Sequence, residues 1–94
     1  MKIRTTVIAR GRVQGVGFRY YTAEAAAGHR LTGWVQNLPD GSVQACFEGE
    51  EEDVHAQIDW CRRGPEQARV DELVLEEGIY SGEFPGFDIR HTSD

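Results

Sequence analysis

The chain has 94 residues, 39% of them hydrophobic and 28% charged, with a formal net charge of −6. That size bounds it to one small domain, residues 1–94, and the mix is that of a folded globular protein rather than a disordered one. The acidity argues against nucleic acid as a partner. The three-residue apolar run at 7–9 is too short for a signal-peptide core or a membrane span, so a cytoplasmic monomer is expected.

The stretch Ile3 to Arg10 contains Thr5, Thr6, Val7 and Ile8, residues that suit a pleated, half-buried surface, and is expected as a first strand. Gly11-Arg12-Val13-Gln14-Gly15-Val16-Gly17-Phe18-Arg19 then places three glycines between that strand and a helix. The helix follows from the Ala-rich run between Phe18 and Ala27, with Gly28 as its expected stop. Leu31 to Leu38 reads as a second strand, Leu38-Pro39-Asp40-Gly41-Ser42 as a hairpin turn, and Ser42 to Glu48 as a third strand. In that third strand Val43, Ala45 and Phe47 share one face, while Gln44, Cys46 and Glu48 lie on the opposite, polar one.

After Gly49 the acidic run Glu50-Glu51-Glu52-Asp53 suits a helix N-terminus, with Val54, Ile58 and Cys61 marking the apolar side. Arg62 and Arg63 complement its C-terminal end, and Gly64-Pro65 breaks it. Val70 to Glu77 is the fourth strand, 78–86 a loop, and Phe87-Asp88-Ile89 the start of a short last strand. The order βαββαβ predicts an α+β split βαβ sandwich, an antiparallel sheet with two helices on one face.

Charge is unevenly distributed. Residues 1–37 hold six basic side chains against Glu24 alone, a local +5, and residues 38–94 carry −11. The basic part surrounds the glycine loop, a pattern suited to steering a small anion. Cys46 and Cys61 form no Cys-x-x-Cys, and His29, His55 and His91 are too scattered to build a zinc site with them. Trp34, Trp60, Tyr20 and Tyr21 read as packing residues, because the general basic excess of a nucleic-acid binder is missing.

The nine residues from Gly11 to Arg19 carry the chemistry. A glycine-rich loop running into a helix can hold a tetrahedral anion on the backbone N–H groups of Gly15, Val16, Gly17, Phe18 and Arg19, needing neither metal nor cofactor. Arg19 adds a planar fork that can grip two oxygens at once. Gly33-Trp34-Val35-Gln36-Asn37 sets a carboxamide at the end of the second strand, beside that loop.

These two blocks, continued through Gly41-Ser42-Val43 to Gly49, resemble the acylphosphatases, small hydrolases that cleave carboxyl-phosphate mixed anhydrides. The pattern matches nearly end to end; Ala9 departs from it where the family more often has a larger aliphatic residue. The resemblance implies a ferredoxin-like fold, a small acyl phosphate as substrate, and inorganic phosphate as product and inhibitor. It also implies Arg19 as the phosphate-binding residue, Asn37 as the residue that positions water, and no metal. A second reading of the same residues is a non-catalytic anion-binding or regulatory domain, for which a water-positioning amide has no use.

Overall fold

The computed structural model describes residues 1–91. Its elements follow the expected order: β1 (Lys2–Arg12), α1 (Phe18–Gly28), β2 (Thr32–Asn37), β3 (Val43–Glu50), α2 (Glu51–Arg63), β4 (Arg69–Gly78) and β5 (Phe87–Arg90). The five strands form one sheet in the order β4-β1-β3-β2-β5. The first four are antiparallel neighbours, but β5 joins parallel to β2, from Gly33 opposite Phe87 to Gln36 opposite Arg90. The sheet expected to be antiparallel is therefore mixed. The reason is topological: β4 ends beside the start of β1, at one edge, and residues 79–86 cross to the other edge, so the chain re-enters alongside β2 and runs with it.

This arrangement brings the ends of β1, β2 and β5 and the start of α1 to one end of the sheet. Both helices cover the same face and touch each other. Gln57 of α2 donates through Nε2 to the Thr22 carbonyl of α1 at 3.2 Å, and its Oε1 lies 2.7 Å from His29 Nδ1. Beneath them Val7, Val35, Ala45 and Phe47 of the sheet meet Phe18, Val54 and Cys61, all nearly fully buried. α2 has the acidic first turn and basic last turn that complement its dipole, as expected.

Three local expectations change. Gly11 lies inside β1, at a bulge between Arg10 and Gly11 against β4, where φ is +131° and an added Cβ would sit 2.2 Å from the Arg69 carbonyl oxygen. It serves the sheet edge; only Gly15 and Gly17 belong to the loop. The reversal after α1 is made by Arg30, not Gly28: Arg30 adopts φ 59°, and the bonds Arg30 N–H to Ala27 O and Leu31 N–H to Ala26 O close a Schellman motif around it. Finally, Cys46 and Glu48 do lie on the face away from the helices, yet Cys46 is 0% and Glu48 1% exposed.

The crossing segment covers them. The Glu48 carboxylate accepts from Ser81 N (2.9 Å), Ser81 Oγ (2.9 Å) and Gly82 N (3.0 Å), and Arg4 Nη1 lies 3.5 Å from it and 3.3 Å from Glu83. These three donors and the Arg4 cation meet the buried carboxylate oxygens in place of water. On the helical face Phe47 and Phe87 stack at 5.6 Å over Gly33, which separates them in the register. No helix among the described residues is long and apolar enough to cross a membrane.

Candidate active site

The loop between β1 and α1 is anchored at both ends by the core. Val13 and Phe18 are 1% and 2% exposed, and Val16 also turns inward, which leaves the intervening backbone to face outward. Gly15 and Gly17 take φ values of +75° and +79°, a left-handed conformation that suits a concave run of main-chain N–H groups. An added Cβ at Gly15 would meet nothing within 4 Å, because the space in front of it is open. Gly17 is the N-cap of α1, and no side chain caps the helix start, whose dipole favours an anion there.

A cavity of about 320 Å³ opens at this point. Its wall includes Gly15, Gly17, Phe18 and Arg19 from the loop and first helical turn, and Asn37 from the end of β2. Two residues eighteen positions apart, on different elements, thus share one concavity. Val16 does not line it; its side chain belongs to the core, and any contribution to the cavity is through its backbone. Arg19 is half-buried, and its Nη1 donates to the Arg90 carbonyl of β5 at 3.2 Å, which fixes the guanidinium while using one of its five N–H groups.

Sequence reasoning missed two contributors. The first is Gln14, whose Nε2 donates to both the Leu38 and Ser42 carbonyls at 2.9 Å and so ties the loop to the hairpin that carries Asn37. The available signal is a carboxamide among residues 13–18, which are otherwise glycine and apolar. That hairpin is also closed by Leu38 N–H to Ser42 O and Gly41 N–H to Leu38 O, and by Asp40, whose carboxylate accepts from Ser42 N and Oγ. Those bonds from Ser42 hold the Asp40 carboxyl below its ordinary pKa. The second contributor is β5 and the residue after it, since Ile89 and His91 line the cavity wall.

The basic N-terminal stretch is only partly gathered here. Arg19 lines the cavity, whereas Arg4 turns to Glu48 and Glu83 on the far face and Arg10 lies 3.4 Å from Glu72. Among the described residues no group of three or more His, Cys, Asp or Glu side chains could hold a metal ion.

Comparison with known proteins places the chain in a family. The family model described as Acylphosphatase matches residues 5–89. A protein of Geotalea uraniireducens (strain Rf4) named acylphosphatase is 55% identical over 91 residues, covering 97% of this chain and all of that protein. One of Geobacter metallireducens, also named acylphosphatase, is 52% identical, covering 97% of this chain and 98% of its own length. The crystal structure of acylphosphatase from Bacillus subtilis superimposes with a TM-score of 0.90 at 32% identity, over 94% of this chain and 98% of that one. With likeness over nearly the whole length, this chain belongs to the acylphosphatase family.

Proposed function

We propose that the chain hydrolyses small acyl phosphates to a carboxylate and orthophosphate, with the 15–19 loop and Arg19 holding the phosphoryl group and Asn37 positioning the attacking water. The observation that carries this reading is the meeting of Arg19, Asn37 and the Gly15–Gly17 backbone in one cavity. The relatives' names support the activity.

The chemistry asks little of such a site. The water oxygen forms a bond to phosphorus while the bond from phosphorus to the acyl oxygen breaks, and the electron pair leaves on a carboxylate. A carboxylic acid has a pKa of about 4, so at neutral pH this group departs without a proton. The transition state is loose, with charge on the equatorial phosphoryl oxygens, so stabilisation and alignment supply most of the rate. Main-chain N–H groups at the helix start and the Arg19 fork meet those oxygens. The Asn37 amide both donates and accepts, so it can orient water but cannot serve as a strong base; the water proton passes to a phosphate oxygen.

Residues 1–94 act as one domain on this reading, since the buried cluster draws on both helices and the sheet face they cover. A monomer in the cytoplasm fits it, with Cys46 and Cys61 free and buried. The test is hydrolysis of a simple acyl phosphate by the purified protein with EDTA present and orthophosphate titrated as competitor. Chelator-resistant cleavage with competitive inhibition is expected. In Asn37→Ala, turnover should fall by on the order of 10² while orthophosphate still binds, the scale of losing a positioning contact. Parallel loss of phosphate binding would mean that Asn37 is structural.

A further inference from the structure

Gly15 and Gly17 share a left-handed conformation but not their surroundings. An added Cβ at Gly15 meets nothing within 4 Å, whereas at Gly17 it would lie 3.2 and 3.3 Å from Cε2 and Cδ2 of Tyr21. The tyrosine ring thus fills the place that a side chain at position 17 would take. Tyr21 stands one helical turn on, and its N–H donates to the Gly17 carbonyl at 3.0 Å, so the ring and the backbone of one residue hold the same glycine. The ring is itself propped: Tyr20 meets it edge to face at 5.1 Å, and the Tyr20 hydroxyl donates to Glu24 at 2.7 Å. Tyr21 does not line the cavity that Gly17 lines, so it packs on the loop without facing the anion.

We propose that Tyr21 is a positioning residue for the anion cradle: its ring braces Gly17 from outside the cavity and holds the N–H groups at the start of α1 in their binding arrangement. The proposal rests on the phosphate cradle of the hydrolase reading above. The need for a brace follows from the composition of the loop. Val13, Val16 and Phe18 anchor it through side chains in the core, and Gln14 ties it to the hairpin. Gly17 has no side chain to anchor, and glycine loses more conformational freedom on ordering than any other residue. A contact supplied by a neighbour restricts it instead. A cradle that is formed only part of the time binds its anion more weakly by that fraction, and the transition state, held by the same N–H groups, is stabilised less in step. The ring acts by packing, so its hydroxyl is dispensable.

The experiment titrates inorganic orthophosphate into ¹⁵N-labelled wild type, Tyr21→Ala, Tyr21→Phe, Gly17→Ala and the Gly17→Ala/Tyr21→Ala double variant, with a thermal melt and kcat/KM for an acyl phosphate measured on each. Tyr21 is 47% exposed on a helix, where alanine is favoured, so Tyr21→Ala keeps the fold. It should weaken orthophosphate by about three- to tenfold, the scale of one aromatic contact, and lower kcat/KM by at least as much, while Tyr21→Phe stays within about twofold of wild type. Gly17→Ala should weaken binding by a smaller factor in the Tyr21→Ala background than alone, because the ring that its Cβ would meet is gone. Unchanged orthophosphate affinity in Tyr21→Ala, an equal loss in Tyr21→Phe, or additive effects at positions 17 and 21 overturn the brace and leave the hydrolase reading standing. A wild type that binds orthophosphate but cleaves no acyl phosphate overturns the hydrolase reading, and the binding comparison then decides on Tyr21 by itself. A wild type that does not bind orthophosphate overturns both.

Discussion

Replacing Gln14 by alanine separates the assembly of the site from its chemistry. The Nε2 of Gln14 makes two bonds of 2.9 Å, to Leu38 O and Ser42 O, on either side of the hairpin turn that begins at Asn37. A net hydrogen bond contributes about 0.5–1.5 kcal/mol, and this residue is only half-buried, so together the two contribute about 1.5 kcal/mol. In a domain of this size that lowers Tm by about 6–12 °C. The kinetic effect should be larger than the loss of stability suggests. With the tie gone, the hairpin carrying Asn37 moves relative to the loop, and a misplacement of about 1 Å lowers turnover by about 10². Thermal melts, steady-state kinetics with an acyl phosphate, and orthophosphate inhibition should be run on Gln14→Ala and Gln14→Glu. The glutamate variant keeps the length but offers acceptors to two carbonyls, so it should lose as much turnover as alanine. Phosphate inhibition should hold within about threefold, because the backbone N–H groups of 15–19 and the Arg19 side chain are unchanged. Turnover within threefold of wild type in Gln14→Ala, at a temperature where the variant is folded, would refute the argument that this tie positions Asn37.

Arg19→Lys keeps the charge but loses the planar fork and the bond to the Arg90 carbonyl, so kcat/KM should fall by 10² or more with the fold unchanged by circular dichroism; near-wild-type kinetics would refute its role. Gly33→Ala should prevent folding or lower Tm by more than 15 °C, because the new Cβ would lie 1.8 Å from the Cys46 carbonyl oxygen at a φ of +135°; a melt close to wild type would show that the β2–β3 ladder gives way at that point. Burial pushes the Cys61 thiol up to about 12 from an ordinary 9.0, so the folded protein keeps a proton there that the unfolded chain loses. Stability from this group is whole below about pH 9 and declines as pH rises toward 12, by up to about 1.4 kcal/mol per pH unit. Denaturant titrations at several alkaline pH values should show a shallower decline in Cys61→Ala than in wild type, and identical slopes would contradict the assignment.

Sequence alone made the element order and the two halves of the site legible because each rests on local chemistry. Thr-Thr-Val-Ile favours a strand, an alanine run favours a helix, and glycines before a helix with an arginine at its start favour an anion. The features it missed depend on contacts between distant segments. Gly11 looked like part of the loop because its partner, Arg69, is 58 positions away across the sheet edge. Cys46 and Glu48 have the alternation of a solvent face, and only the path of residues 79–86 between opposite sheet edges shows that they are covered. The same path makes β5 parallel to β2 and delivers the Arg90 carbonyl to Arg19, and no local pattern in a four-residue strand announces either. Arg30 in the left-handed position after α1 ran against the expectation that glycine does this work; the Schellman bonds to Ala26 and Ala27 offset its strain.

The central claim is that backbone N–H groups of the glycine loop and one guanidinium grip the phosphoryl group beside Asn37. It is tested most directly by titrating orthophosphate into the ¹⁵N-labelled protein and following each amide and the Arg19 side-chain resonances. The account predicts saturable shifts concentrated at Gly15, Val16, Gly17, Phe18 and Arg19, with the Asn37 side-chain amide moving at the same phosphate concentration. Shifts centred instead on Trp34 and Phe84 across the sheet, or an unperturbed loop at concentrations that inhibit hydrolysis, would contradict it.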